Sequence, residues 1–320
     1  KGNFTPLGMR DYEFIGTDKA ADLWPSQTGA LGVLRSPELM VLRRGSEQVQ
    51  ITPQIRAFYG SPSPLIITKA SAVSRVRNRR HLDYVGIKRY GGSGTLIGEL
   101  RLVGLFTPTA YLQPVEAVPL VRQKVRKVLA LAQFPPDSHS GRTLVDILET
   151  FPRDELFQID LGHLQAWSLV LLDLQLRPRI RVLARRDEFG RYASVLVFVP
   201  RDQYSSQNRE RIGAYLAATF GGRVAAFYPY ITAAPLVRTQ FIIALMGETT
   251  REVSDAQLES AIGEILRTWA DKLEQAIAAR SAALTPVYRT AFSAGYMETF
   301  DVSRAIEDIE RIERLGPGAP

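Results

Sequence analysis

The sequence predicts an α+β fold in which antiparallel sheets are covered by packed helices. Apolar stretches of strand length follow one another, with short turns between them, at 65–111 and again at 179–246. Between and after these regions, apolar residues recur at the three- and four-residue spacing of amphipathic helices. The length of 320 residues suits about two such domains with connecting helices.

The first domain is expected to span residues 1–112 as an α+β module. Prolines divide residues 1–64 into short pieces, with a single candidate strand at 12–16. Three strands are then predicted, and a glycine-rich hairpin turn joins the second to the third. Both faces of the third strand are largely apolar, which predicts a central or covered position in the sheet. The three strands are 65–72, 81–90 and 95–107.

A helical linker is predicted at 113–177. Its first helix opens at Pro119, a residue that is tolerated at the start of a helix, and carries an apolar stripe at spacings of four and three. Further helices are predicted after the cap residues Asp137 or Ser138, after Pro152, and over 161–176. The stripe of the first helix comprises Val121, Val125, Val128 and Ala132.

The second domain is expected at 178–285. The element order is strand, strand, helix, strand, strand, followed by a long helix at 255–281. This order predicts an antiparallel sheet with helices on one face, which is the ferredoxin-like plan. The four strands are predicted at 179–186, 193–199, 223–231 and 235–246. A last helical segment, 286–320, contains a helix at 301–315 and is expected to lead into a further module.

Charge and composition exclude several classes of protein. The chain has 40 basic and 33 acidic side chains, a formal net charge of +7, and 45% apolar residues. These values exclude disorder as the general state. The longest apolar run, 241–246, is far shorter than the roughly 20 residues that a membrane helix needs. The absence of cysteine excludes disulfides and thiolate chemistry, and it fits a cytoplasmic location.

No catalytic, cofactor-binding or metal-ligating residue is predicted. The three histidines are far apart in the sequence and have no metal-ligand spacing. The glycine turn at 91–94 joins two strands, whereas a phosphate-binding loop opens a helix. Ser138 and His139, with Asp154 and Glu155 further on, form the weakest alternative, an independent hydrolase. Ser138 is better explained as a helix cap.

Two groups of side chains are candidates for a ligand site or an interface. Basic residues at alternating positions could hold a phosphate or carboxylate, or form ion pairs between domains. A solvated edge strand would show the same pattern. Aromatic residues in the strand at 223–231 could line a pocket or an oligomer interface, although a half-buried strand would also use them. The candidates are Arg75, Arg77, Arg79, Arg80, Tyr228 and Tyr230.

Long collinear stretches of the chain resemble the N-terminal region of the large bacterial NAD-specific glutamate dehydrogenases. They include RNRRHLDYVGIKRY at 77–90 and IGELRLVGLFTPTAY at 97–111. The resemblance covers most of the chain from about residue 65 onward, whereas residues 1–64 carry little of it. The remaining stretches are 137–159, 181–222, 223–231 and 292–315.

The resemblance implies a parent enzyme that oxidises L-glutamate to 2-oxoglutarate and ammonia with NAD. In this family the catalytic region lies C-terminal to the part seen here. The N-terminal part is built of ACT-like modules, a PAS-like module and helical motifs. The unit at 178–285 would then be an ACT-like module, and residues 1–112 a PAS-like or second ACT-like module. The Lys1 start and the Gly- and Pro-rich end fit an excised piece of a longer chain.

The expected role is therefore a non-catalytic regulatory and oligomerisation segment that carries no cofactor itself, within a parent enzyme that uses NAD. Its expected partners are the rest of its own chain, other subunits of a homo-oligomer and a small amino-acid effector. Neither nucleic acid nor a membrane is expected as a partner. A purely structural scaffold without a ligand is the main alternative. A nucleic-acid-binding module, suggested only by the net positive charge, is a further one.

Overall fold

A computed structural model describes residues 2–15, 22–26, 29–36, 58–74, 81–187, 190–246 and 253–315. Within these ranges the chain forms two antiparallel sheets, with helices packed between them and beside them. The predicted α+β class is confirmed.

Sheet A is formed by the first six strands, in the order β2-β1-β6-β5-β4, with β3 paired to β1. Strand β6 lies between β1 and β5, so the central position predicted from its two apolar faces is confirmed. Strand β1 is much longer than the strand expected at 12–16, because it pairs with β6 from Phe4 to Glu13. The strands are β1 Phe4–Ile15, β2 Asp22–Pro25, β3 Leu31–Gly32, β4 Leu65–Val73, β5 His81–Tyr90 and β6 Leu96–Phe106.

A charged cluster is buried inside sheet A. The hydroxyls of Tyr59 and Tyr84 both donate to the carboxylate of Glu99. The Nε of Arg101 donates to the same carboxylate at 3.3 Å, and its guanidinium lies 3.8 Å from the centre of the Tyr12 ring. Burial, with the Glu99 charge adding to it, raises the pKa of Tyr59, so its hydroxyl stays protonated and keeps donating.

Five helices follow sheet A and form the helical block. One apolar core joins them to Ile67 of sheet A and to Leu183, Leu196 and Phe198 of the second sheet, so the block lies between the two sheets. The helices are α1 Pro108–Leu112, α2 Val121–Ala132, α3 His139–Thr150, α4 Arg153–Gln158 and α5 Leu161–Leu176.

Sheet B has the strand order β7-β8-β10-β9. Two helices, α6 and α7, pack on one of its faces around a core that includes Val195, Leu216 and Phe241. In the ferredoxin-like plan, one edge strand comes after the second helix in the sequence. Here that edge position is occupied by β7, which precedes the other three strands in the chain. The elements are β7 Arg181–Arg186, β8 Tyr192–Pro200, α6 Ser206–Thr219, β9 Gly222–Tyr230, β10 Leu236–Leu245 and α7 Asp255–Leu266.

The outer edge of β7 is occupied by side chains of α7. The backbone N–H of Val182 donates to the carboxylate of Glu259 at 3.1 Å, and Arg181 contacts the same carboxylate at 3.2 Å. The carboxylate of Asp255 accepts a hydrogen bond from the backbone of Ala184. These outward-facing backbone donors therefore already have partners.

The prediction of one long helix at 255–281 is wrong, because the helix is interrupted at Arg267 and Thr268. Helix α7 ends at Leu266. Thr268 then caps a new helix, and the Asp271 side chain accepts from the backbone N–H of Thr268. The predicted helix near 301–315 is confirmed as α11. The final elements are α8 Trp269–Ala278, α9 Thr285–Tyr288, α10 Ala294–Thr299 and α11 Val302–Leu315, which share a core around Leu273, Ile277 and Ile306.

Candidate functional site

A cleft of about 1290 Å³ opens between the two sheets. Its walls are β4 to β6 of sheet A, the start of α4, and the face of sheet B that turns away from α6 and α7. Side chains alternate along each strand, so β10 sends Phe241 to the helices and Gln240 to the opposite face. The helical block covers that opposite face over Leu196 and Phe198. The part formed by β9 and β10 lines the cleft.

An ion-pair network ties sheet A to α4. The ammonium of Lys69 on β4 lies 2.6 Å from Asp83 on β5 and 3.1 Å from Asp154 on α4. The hydroxyl of Tyr111 donates to Asp154 at 2.6 Å. The backbone N–H of Phe106 donates to the second oxygen of Asp83 at 3.0 Å. These contacts bring together residues that are up to 85 positions apart in the sequence.

Burial and charge fix the protonation states in this network. Burial on its own lowers the pKa of Lys69, but the carboxylates of Asp154 and Asp83 outweigh it, and the net shift is upward. Burial, and then the Asp154 charge, raises the pKa of Tyr111. Lys69 therefore stays charged, and Tyr111 stays a hydrogen-bond donor, at neutral pH.

The residue after Asp154 ties the same helix to sheet B. Glu155 is 1% exposed, and its carboxylate accepts from Nε of Arg185 on β7 at 2.7 Å. The amide of Gln240 on β10 donates to Ser194 at 3.0 Å and approaches Glu155 at 3.4 Å. Two adjacent acidic residues in the first turn of α4 thus point to different sheets.

The sheets also meet directly at one end of the cleft. The guanidinium of Arg191 donates to the backbone carbonyl of Lys69 at 2.5 Å and pairs with Asp187. The Tyr192 hydroxyl lies 3.2 Å from Nδ1 of His81 on β5. Burial lowers the pKa of His81, and the nearby charges of Lys69, Arg223 and Arg191 lower it further. The imidazole is therefore neutral at neutral pH.

Two arginines on the β9–β10 wall have no acidic partner among the described residues. Arg238 lies with its guanidinium carbon 4.4 Å from the centre of the Tyr230 ring. Burial lowers the pKa of Arg238 to about 10, an effect that Tyr230 partly offsets. Arg223 lines the cleft near the other end of β9 from Tyr230, and it is exposed. Within the described part of the chain, this wall of the cleft therefore carries positive charge that no acidic side chain neutralises.

The structure brings together only part of the set predicted from sequence. Arg75, Arg77, Arg79 and Arg80 lie outside the described residues. Tyr228 and Tyr230 are exposed and line the cleft beside Gln240 and Arg238. Their role in binding a ligand or in an interface remains a prediction.

Sequence reasoning missed most of the polar residues of the cleft. Asp154 and Glu155 lie in the first turn of α4, where the helix dipole alone would explain two acidic residues. Arg238 and Gln240 gave the clearest overlooked signal, because they place two polar side chains on one face of an otherwise apolar strand. Their partners could not be inferred, because those residues come from distant segments.

The hydrolase alternative gains no support from the described residues. The Ser138 hydroxyl accepts from the backbone N–H of Gly141 and donates to the Pro135 carbonyl, as a helix cap does. His139 is the exposed first residue of α3. The described ranges contain no cluster of three His, Asp or Glu residues placed to hold a metal. None of the described helices is both long and apolar enough to cross a bilayer.

The chain is similar to three glutamate dehydrogenase domain families. Residues 181–270 match the glutamate dehydrogenase ACT2 domain, 118–177 match helical motif 1, and 278–315 match helical motif 2. The class defined by sheet B and its flanking helices is thus an ACT-type module set between helical motifs.

Whole-chain comparison gives the same family. The chain is 35% identical over 99% of its length to an NAD-specific glutamate dehydrogenase of Halomonas elongata, and 29% identical over 99% to one of Pseudomonas aeruginosa. It is 30% identical over 78% of its length to one of Mycobacterium tuberculosis. It spans 20%, 20% and 16% of these relatives, respectively. The chain belongs to the NAD-specific glutamate dehydrogenase family and corresponds to its N-terminal region.

Proposed function

We propose that this chain is a regulatory and oligomerisation segment of a large NAD-dependent glutamate dehydrogenase. The parent enzyme would be a cytoplasmic homo-oligomer that converts L-glutamate and NAD to 2-oxoglutarate, ammonia and NADH. The names of the relatives and the match to an ACT2 domain support this proposal. Residues 1–112 would form the PAS-like or second ACT-like module. The chemistry would be carried by other parts of the whole protein.

The observation that carries the regulatory role is the cleft between the two sheets. Its walls belong to different sheets, and both sheets are held to one short helix, α4, through Asp154 and Glu155. A ligand in the cleft would contact both sheets at once. It could therefore favour one arrangement of the sheets over another, and that difference in affinity is what regulation requires. We propose a small amino acid or related metabolite as the effector.

A purely structural scaffold is the second candidate, and the same ion pairs favour it. Arg185 and Glu155 have side chains that are 9% and 2% exposed, and their ion pair joins sheet B directly to α4. In a scaffold, these contacts would serve only to hold the modules at a fixed spacing.

Thermal unfolding of the 320-residue chain separates the two candidates. The ligands are a panel of amino acids, 2-oxoglutarate, NAD and NADH. A ligand present at about 100 times its Kd stabilises the folded state by about 2.7 kcal/mol, which raises Tm by a few degrees. The effector hypothesis expects such a shift with at least one small ligand. The scaffold hypothesis expects none.

A variant with a bulky side chain in the cleft tests whether a ligand that raises Tm binds there. Ala226 lies on β9 and lines the cleft, so Ala226→Trp should narrow the cleft and weaken the shift. Ala214→Trp places the same bulk on the exposed face of α6 and should leave the shift intact. A shift that is unchanged in Ala226→Trp would place the ligand away from this part of the cleft.

The oligomerisation role has its own test. Light scattering after size-exclusion chromatography should give a mass above that of the 35.6 kDa chain at micromolar concentration. A chain that stays monomeric as its concentration is raised would leave assembly to other parts of the parent.

A further inference from the structure

We infer that the cleft binds a small organic anion, and that Arg238, beside Tyr230, holds its carboxylate or phosphate group. This inference rests on the proposed effector site and deepens it, because it assigns the chemical class of the ligand and the residue that recognises it.

The first support is the charge balance of the cleft. Among its described lining residues are five cations and four carboxylates. Asp83 and Asp154 are engaged by Lys69, and Glu155 is engaged by Arg185. The fourth carboxylate, Asp187, pairs with Arg191 and accepts from two backbone N–H groups. Of the five cations, Arg153 pairs with Glu149, and this leaves Arg223 and Arg238 without an acidic partner in the described chain.

The second support is the setting of Arg238 on its strand. Its Cα partners are Tyr230 on β9 and Phe198 on β8, so aromatic residues flank it on both sides. Arg238 is half-buried, and a guanidinium that is partly removed from water without a counter-charge loses part of its hydration without compensation. An incoming oxyanion restores the balance, and the planar fork of arginine can bind it through two parallel hydrogen bonds.

Distance decides which arginine is the main anchor. Arg223 precedes Tyr230, the partner of Arg238, by seven positions on β9. At about 3.3 Å per residue this is roughly 20 Å along the strand. One small dicarboxylate therefore cannot span both. Arg238 is half-buried whereas Arg223 is exposed, so binding at Arg238 relieves the larger desolvation cost.

Calorimetric titration of the 320-residue chain tests the inference with three probes. Glutarate and inorganic phosphate supply the two kinds of oxyanion, and glutaramide is the neutral counterpart of glutarate. We expect at least one oxyanion to bind and glutaramide to bind at least tenfold more weakly. The preferred oxyanion shows whether the natural ligand carries a carboxylate or a phosphate.

Variants then assign the binding to Arg238. Arg238→Gln should weaken oxyanion binding at least tenfold, and Arg238→Lys should restore part of it. Arg209→Gln is the matched control, because Arg209 lies over the ring of Phe227 at 4.2 Å on the opposite face of β9. That control should bind as the unchanged chain does. The Tm of the ligand-free Arg238→Gln variant should be no lower than that of the unchanged chain, which shows that the variant folds.

Three outcomes would overturn the inference. One is that neither oxyanion binds. Another is that Arg238→Gln and Arg209→Gln bind the oxyanion equally well. The third is that glutaramide binds as tightly as glutarate and is insensitive to Arg238→Gln, in which case the proposed effector site would stand while its anionic character would fail.

Discussion

The ammonium nitrogen of Lys69 on β4 lies 3.1 Å from the carboxylate of Asp154 in the first turn of α4. The next residue, Glu155, turns the other way and pairs with Arg185 on β7 at 2.7 Å. A helix of six residues is therefore linked by charge to both sheets. Substitutions that break these ion pairs should therefore lower the free energy of unfolding of the chain.

Lys69→Met should destabilise the chain by about 3 kcal/mol, because it leaves Asp83 and Asp154 without their shared cation in a mostly buried position. Glu116→Gln is the control, since Glu116 and Arg126 form a pair at the surface and should contribute less than about 1 kcal/mol. Urea unfolding measures both. Equal losses in the two variants would show that the Lys69 network contributes no more than a surface pair.

Stability should fall as the pH drops below 6.5, in part through His81. The pKa of His81 is lowered in the folded state from its usual 6.5, so the unfolded chain takes up a proton first. The contribution is fully present above pH 6.5 and is lost as the pH falls from 6.5 towards the folded-state pKa. His81→Gln should flatten this part of the Tm–pH curve, whereas His139→Gln, at an exposed position, should not. An unchanged slope in His81→Gln would contradict the assignment.

Gly222→Ala should destabilise the chain by about 1–3 kcal/mol. A Cβ at Gly222 would overlap the backbone carbonyl of Ala244, so β9 and β10 would have to separate at this end of the cleft. Gly263→Ala in α7 should instead stabilise by about 1 kcal/mol, because its Cβ would meet only Ile180 at 3.9 Å and alanine favours a helix. Opposite signs in thermal unfolding are the expected result, and a loss in both would refute it.

Tyr84→Phe should cost about 1–3 kcal/mol, because the fully buried Glu99 loses one of its donors. Tyr90→Phe, at an exposed position on the same strand, should change the free energy of unfolding by less than about 0.5 kcal/mol. Guanidinium unfolding of the two variants provides the measurement. If Tyr84→Phe behaves like Tyr90→Phe, the carboxylate of Glu99 is satisfied without this hydroxyl.

The elements with a strong apolar pattern could be predicted from the sequence alone. Helix α2, with Val121, Val125 and Val128 all buried, and the central position of β6 follow from local patterns. Strand β1 could not be delimited, because Pro6 and charged residues interrupt its pattern and its extent depends on pairing with β6. The break at Thr268 had a local signal, a capping residue with Asp271 three positions later, which the long apolar stripe concealed.

The cleft was beyond sequence reasoning for a different reason. Its polar residues come from both sheets and from α1 and α4, and no local sequence pattern indicates that these elements meet. Tyr228 and Tyr230 were predicted as candidates from their aromatic character alone. Arg238 became a candidate only when the positions of the acidic side chains around it were known.

The blocked edge of β7 limits how sheet B can grow. Glu259 and Asp255 occupy the backbone donors on that side, whereas no described strand pairs with the outer edge of β9. Among the described strands of sheet B, the outer edge of β9 is therefore the edge at which a further strand could pair. Two copies joined edge to edge through β9 would be related by a twofold axis and would form a closed pair. With the outer edge of β7 covered by α7, such a pair would leave neither copy a second edge of sheet B for further strand addition.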